Sequence, residues 1–341
     1  MPIAKHVREL EPYTPGEQPK SRDVVKLNTN ENPYPPTPKC AEVLTSFDLD
    51  KLRRYPDPVF TDLRKALAKL NKTTPERIFV GNGSDEILAL ATKAFVEDSD
   101  AIGSLDPSYS LYKTIAAIRN VEWRAGAKGT SLFLWTNPNA PTGEFAEIDA
   151  IAAFAKSYKG VLMVDEAYAD FARDNAMRLA TAPDNRNTIV MRTFSKSYSL
   201  AGLRVGYCVG PEDLIAALYK VKDSYNADAL AQAVALAAVK DQSWMRKNTS
   251  KIRRTRKAFT RALEKRGWDV LPSEANFVFA RPPQGVDAAE LFEHLRSQGI
   301  FVRYFANPNT RDRLRITIGT DEEISKLLEA IDASAITKRL H

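Results

Sequence analysis

Cysteine is nearly absent from this chain: two in 341 residues, Cys40 and Cys208, far apart and each among apolar neighbours. That spacing supplies neither a disulfide framework nor a metal cluster, so both read as reduced core residues and no metal is expected. Long apolar runs are missing as well. No stretch reaches the roughly 18 uncharged residues of a membrane span, and the opening "MPIAKHVREL" has no apolar signal-peptide core. The expectation is a soluble cytoplasmic protein with no membrane partner. Nor is charge of one sign in large excess, since 49 Lys and Arg stand against 43 Asp and Glu, for a formal net charge of +6. Such a balance suits an anionic ligand but is too mild to argue for nucleic acid. Internal repeats and low-complexity tracts are lacking too.

What is present is a chain with 44% hydrophobic residues, long enough for a large domain and a smaller companion. Residues 1–38 hold a Pro-rich arm, "EPYTPGEQPK" and "NTNENPYPPTP", in which prolines and asparagines forbid long regular elements. Such an arm must lie on something. From about residue 60, helical stretches ("FTDLRKALAKL", "SDEILALATKAF", "IDAIAAFAKSY") alternate with short apolar strands ("RIFVG", "SLFLW", "GVLMVD", "NTIVMRT", "GLRVGYCVG"). Continuous apolar strands between helices indicate an α/β fold whose mostly parallel sheet is covered on both faces. The large domain is assigned to 39–235 and a smaller α+β domain to 236–341, where "ANFVFARP", "AAELFEHLRSQG", "IFVRYF", "RLRITIG" and "DEEISKLLEAI" read as strand, helix, two strands and helix. The strongly basic run from Lys247 to Arg266 carries Ile252, Phe259 and Leu263 at helical spacing. Its charges are read as the wet face of an amphipathic helix rather than a nucleic-acid stripe.

Several short motifs carry chemistry. In "FVGNGSDEILAL", Gly81 and Gly83 follow a strand while Ser84 and Asp85 open a helix, which describes an anion cradle and equally an ordinary N-cap. It is not a Walker loop, and the third glycine of the dinucleotide fingerprint is missing. "VLMVDEAYADF" ends a buried strand at Asp165, with Tyr168 three residues on. Ligands of open α/β sheets bind at the carboxyl ends of strands, so that carboxylate is well placed. "DPSYSLY" offers Tyr109 to stack on a planar ligand or simply to pack, and "TNPNAPTG" is a loop. "RTFSKSYSLAGLRVGY" sets Lys196 between two serines, with Arg204 eight positions later. A lone lysine is most often a surface residue, but this one has company. In "RLRITIG", alternation puts Arg313, Arg315 and Thr317 on one face, and two arginines on a half-buried strand call for an anion or acids.

Taken in order, these motifs resemble the pyridoxal-phosphate enzymes of the aspartate-aminotransferase fold, over nearly the whole chain. Within them, "LNTNENPYPPTP", "RYPDP", "GNGSDE", "DEAYADF", "TFSKSYSLAGLRVGY", "GIFVRYF" and "LRITIGT" look like the histidinol-phosphate aminotransferase branch. The resemblance implies pyridoxal 5'-phosphate as cofactor and a large domain with a mostly parallel seven-stranded sheet. Lys196 would form the Schiff base and move the substrate proton. Asp165 would face the pyridine nitrogen, Tyr168 the ring 3-oxygen, and Tyr109 the ring face. Ser84, Asp85, Ser195 and Arg204 would hold the phosphate, joined by Tyr55 of "RYPDP" from a neighbouring subunit, so that a homodimer shares its active sites. Where the family loop has Asn before Pro-Thr-Gly, this chain has Ala140, which leaves Asn139 or Tyr168 to take over its bond. Arg315 would hold the substrate anion, with Arg303 and Tyr13 lining the same pocket.

The implied reaction moves an amino group between L-histidinol phosphate and 2-oxoglutarate in histidine biosynthesis. An aromatic-amino-acid aminotransferase and a lyase like the threonine-phosphate decarboxylases are the alternatives on the same chemistry. A ligand-sensing module of a transcription regulator is disfavoured, because only the short arm precedes the fold.

Overall fold

In the strand Val161–Asp165 successive side chains feed two different cores: Leu162 and Val164 enter one apolar cluster and Met163 the other. Neighbouring strands repeat the pattern, with Val190 on the first side and Ile189 and Met191 on the second. A sheet buried on both faces accounts for the continuous apolar runs. Cys40 belongs to the first cluster and Cys208 to the second, both as free thiols.

The computed structural model describes residues 2–21 and 23–334. Its strands in chain order are β1 (Val25–Lys26), β2 (Ile78–Gly81), β3 (Ala101–Ser104), β4 (Glu122–Ala125), β5 (Leu132–Thr136), β6 (Val161–Asp165), β7 (Thr188–Thr193), β8 (Gly206–Val209), β9 (Asp269–Val270), β10 (Phe277–Arg281), β11 (Ile300–Phe301), β12 (Arg303–Tyr304) and β13 (Leu314–Thr317). A seven-stranded sheet takes the order β2-β8-β7-β6-β5-β3-β4, parallel except for β8, which runs against both neighbours. This is the α/β fold expected. A second, antiparallel sheet has the order β12-β13-β10-β9, and β1 pairs in parallel with β11.

Two strands of the large sheet carry no signal in the sequence. Ala101–Ser104 is short and holds a glycine, and Glu122–Ala125 lies on the edge with polar side chains, so neither shows an apolar run. "GLRVGYCVG" extends as strand only from Gly206, because Arg204 adopts a left-handed backbone (φ 55°) that ends pairing before it. "IFVRYF" divides at Val302, its first half joining β1 and its second β13. The basic helix spans Gln242–Glu264, with Ile252, Phe259 and Leu263 buried and Lys247, Arg253, Arg254, Lys257 and Arg261 exposed, as the solvated-face reading expects. No helix of the described residues is long and apolar enough to cross a membrane.

The register of the large sheet positions the site. Thr136 lies beside Asp165, Asp165 beside Met191, Thr193 beside Gly206, and Gly206 beside Gly81. The carboxyl ends of β2, β5, β6 and β7 thus form one row, and the loops leaving them share one side of the sheet.

Candidate active site

A cavity of about 790 Å³ opens over that row, lined from the N-terminal arm, the strand-end loops and the antiparallel sheet. Its floor is Asp165, 4% exposed, to which the Tyr112 hydroxyl donates at 2.8 Å and the Ala167 N–H at 3.1 Å. Since the single Tyr112 hydrogen goes to Asp165, Thr136, 2.6 Å from the same hydroxyl, is the donor in their contact. Burial pushes the Asp165 carboxyl up to about 6, against those two bonds, which favour the charged form. The site therefore holds an acid with room to gain stability from a nearby cation.

Lys196 sits in the loop after β7, with its Nζ donating to the Thr29 carbonyl at 3.0 Å. Burial, and then the Arg315 guanidinium, bring its ammonium down to about 8. Asn32 of the arm donates to the carbonyls of Lys196 and Ser197, so the arm lies on the lysine loop. Beneath the loop, Ser197 donates to Asp170, and Asp170 and buried Glu166 together pair with Arg192. These bonds fix the backbone that carries the lysine.

The helix Gly83–Phe95 starts against β8. Gly83 takes φ +81°, and a Cβ on Gly206 would stand 2.7 Å from the Ser84 nitrogen, so glycine at both positions lets the helix start approach the strand. Arg204 reaches the same place, meeting Asp85 at 3.3 Å and Ser195 at 3.4 Å. These are long contacts that leave donors free, and with the helix N-terminus they make an anion cradle.

Tyr109 stands edge-on to Tyr112 (ring centroids 5.6 Å) and to Tyr13 of the arm (6.0 Å). On the opposite wall, Arg315 in β13 donates to the Asn28 carbonyl at 2.8 Å, while its Nε is buried with no partner. No carboxylate among the described residues pairs with it, whereas Arg313 on the same strand has Asp269 at 2.6 Å. One of the two strand arginines thus has its acid, and the other faces the cavity. Arg303 lines the same mouth, tied to the Thr14 and Pro15 carbonyls.

Of the residues singled out in the sequence, Tyr13, Ser84, Asp85, Tyr109, Asp165, Tyr168, Ser195, Lys196, Arg204, Arg303 and Arg315 line this one cavity. Asn139 does not. Its amide donates to the Pro107 carbonyl and Thr142 and accepts from Ser108, which consumes it in holding the loop, and Ala140 presents a methyl to the cavity instead. The Asn139 amide is thus engaged within its own loop and with Pro107 and Ser108 rather than on the cavity wall. Tyr55 also lies outside, 80% exposed and stacked on Tyr225 at 4.3 Å. Sequence reasoning missed Tyr112, Thr136 and Asn30. Tyr112 stands three residues after Tyr109 in the quoted "DPSYSLY" and was open to notice, whereas Thr136 and Asn30 depend on strand register and on the path of the arm.

The residues fit a pyridoxal phosphate group: an amine of lowered basicity, a buried acid, an anion cradle and an aromatic wall converge on one cavity, and a buried guanidinium nitrogen lacks its partner. Known proteins agree with that chemistry. Residues 22–331 match the family model described as aminotransferase class I and II. The histidinol-phosphate aminotransferase 1 of Bradyrhizobium diazoefficiens is 44% identical over 95% of this chain and 97% of its own. Among solved structures, the histidinol-phosphate aminotransferase of Sinorhizobium meliloti in complex with pyridoxal-5'-phosphate superposes with a TM-score of 0.89, covering 100% of this chain and 98% of that one at 26% identity. A tetra mutant of the Thermus thermophilus aspartate aminotransferase gives 0.81 over 96% of this chain and 98% of that one at 20% identity. The fold is that of the aspartate aminotransferases. The chain belongs to the class I and II aminotransferase family, and within it to the histidinol-phosphate aminotransferases.

Proposed function

We propose that this chain transfers an amino group between L-histidinol phosphate and 2-oxoglutarate, as a cytoplasmic homodimer with pyridoxal phosphate as cofactor. The observation that carries the reading is the meeting of the Lys196 amine, the Asp165 carboxylate and the Arg315 guanidinium, with which no carboxylate of the described residues pairs, around one cavity. When bound, the cofactor supplies an electron sink for the pair left on the substrate carbon when its proton is removed. Lys196 would hold the cofactor covalently, and its amine, of lowered basicity, would carry that proton. Asp165 would keep a proton on the ring nitrogen, Tyr168 would donate to the ring oxygen, and Tyr109 would cover the ring face. Ser84, Asp85, Ser195 and Arg204 bind the phosphate through the helix start and the guanidinium. Arg315 and Arg303 bind the anionic end of either substrate, the phosphate ester of one or the carboxylate of the other, with Tyr13 closing the mouth.

Tyr55 would act on a neighbouring subunit's phosphate. Its surroundings support the dimer: Leu49, Leu52, Tyr55 and Val59 follow closely in the chain, Tyr225 stacks on Tyr55, and all five are exposed large apolar side chains that a covering surface would bury.

Incubation with L-histidinol phosphate and 2-oxoglutarate should yield glutamate, with aromatic amino acids as poorer donors and no CO₂ released from L-threonine phosphate. Preference for aromatic donors would make it an aromatic-amino-acid enzyme, and CO₂ release would make it a lyase.

A pH dependence follows from Lys196. Its ammonium falls to about 8, so the reactive neutral amine drops about tenfold for each unit below that. Uptake of pyridoxal phosphate by the cofactor-free protein, followed by absorbance, should accelerate with rising pH and level off above about 8. A rate that levels off only near the ordinary lysine value contradicts the lowered basicity.

A further inference from the structure

Three buried polar side chains from distant parts of the chain meet at the wall of the cavity. Asn30, 1% exposed, comes from the N-terminal arm, Thr317, 2% exposed, ends β13, and Tyr168 lies in the turn after β6. Counting hydrogens assigns every bond among them. The Asn30 backbone N–H donates to Thr317 Oγ1 at 3.0 Å, which makes that oxygen an acceptor. The one threonine hydrogen goes to Asn30 Oδ1, also at 3.0 Å. With its oxygen turned to Thr317, the Asn30 amide presents its NH₂ to Tyr168, and Nδ2 donates to the tyrosine oxygen at 3.0 Å. Asn276 Nδ2 donates to the Asn30 carbonyl at 2.9 Å, so all four polar groups of Asn30 have partners and its direction is set.

A tyrosine oxygen that already accepts keeps its single hydrogen to give elsewhere, and Tyr168 lines the cavity. Accepting a bond also polarises the O–H and makes it a stronger donor. Ala140 adds only a methyl to the cavity, so no amide from that loop position shares the task.

We propose that Asn30 and Thr317 are positioning residues for the transamination, a relay that points the Tyr168 hydroxyl at the ring oxygen of the cofactor and strengthens its donation. The inference rests on the reading of Tyr168 given under the proposed function. The charged and titratable groups that face Tyr168 are Arg315, Asp165, Tyr13, Tyr109 and Lys196, whose Nζ is 5.9 Å from the ring centroid, and those that face Lys196 are Arg315, Glu31, Asp85 and Arg204. None of them is altered in the variants below. A donor to the ring oxygen competes for the electron density that otherwise holds a proton on the Lys196 nitrogen of the loaded protein. Weaker donation therefore leaves that nitrogen more basic.

The test is an absorbance titration of the protein loaded with pyridoxal phosphate. Asn30→Gly is the chosen variant, because Asn30 has a left-handed φ of 56° that glycine adopts freely and its backbone N–H stays in place. Tyr168→Phe should move the midpoint up by about one pH unit, and Asn30→Gly should move it the same way by about half as much. The double variant should match Tyr168→Phe alone, since Asn30 acts through the tyrosine. Thr317→Val, which keeps the shape and loses the hydroxyl, should follow Asn30→Gly, and Thr317→Ser should restore the midpoint. A shift in Tyr168→Phe with none in Asn30→Gly or Thr317→Val overturns the relay and leaves the role of Tyr168 standing. Additive shifts in the double variant overturn it as well. If Tyr168→Phe itself does not shift, the tyrosine does not serve the ring oxygen and the relay falls with it.

Discussion

With Lys196 replaced by alanine, transfer between L-histidinol phosphate and 2-oxoglutarate is expected to fall by at least about 10⁴-fold while the chain stays folded. Among the residues lining the cavity, Lys113 also carries an amine, but it leans towards Asp106 at 3.4 Å and over the Trp123 ring at 4.1 Å, away from the Asp165 floor. The lysine gives the fold little in return, one bond to the Thr29 carbonyl. Its loop is held by other groups, through Asn32 above and Ser197 to Asp170 below. Arg204 and the helix start remain, so the variant should still retain cofactor without a covalent link. Stopped assays and circular dichroism check both halves, and activity within tenfold of wild type sinks the proposed mechanism. The variant also reports on assembly. Mixed with an inactive Tyr55→Arg under conditions that exchange subunits, it should regain part of the activity, because one site of each heterodimer combines an intact Lys196 with an intact Tyr55. Exchange without recovery means that Tyr55 does not act across subunits.

Asp165→Asn should slow proton removal by about 10²- to 10³-fold, since an amide cannot hold a proton on a ring nitrogen as a carboxylate does. The change is nearly isosteric, and Tyr112 can still donate to the amide oxygen now given by Oδ2. The bond from the Ala167 N–H then faces an NH₂ and is lost, for a cost of about 1 kcal/mol. Stability should therefore change little while single-turnover rates collapse. Rates within a few-fold of wild type would remove Asp165 from the chemistry.

Much of this architecture is legible in the sequence because it depends on local pattern. Val161–Asp165 is apolar to its last residue, so both its burial and the emergence of its carboxylate can be read directly. The same holds for Ser84 and Asp85, which open a helix after Gly83. Ala101–Ser104 and Glu122–Ala125 escape because their strand character comes from neighbours and not from their own side chains. The part played by Asn139 is hard to read for a related reason: the loop motif names a residue type, but only the fold decides that its amide holds the turn. Asn30 is illegible for the opposite reason, since "NTNENP" reads as irregular coil and gains meaning only where Thr317 and Tyr168 arrive.

The pairing of Val25 with Ile300 has a consequence for how the molecule comes into being. A ribosome releases the chain from its N-terminus, so β1 emerges long before the strand that completes its ladder exists. Until residues near 300 appear, Thr29 has no fixed place from which to accept the lysine, and Asn30 has no threonine to orient it. The large sheet, whose strands lie between Ile78 and Val209, can close earlier by itself. The finished cavity is therefore acquired last, and a nascent chain stalled before its final third would carry every residue of the anion cradle without the wall that β13 supplies.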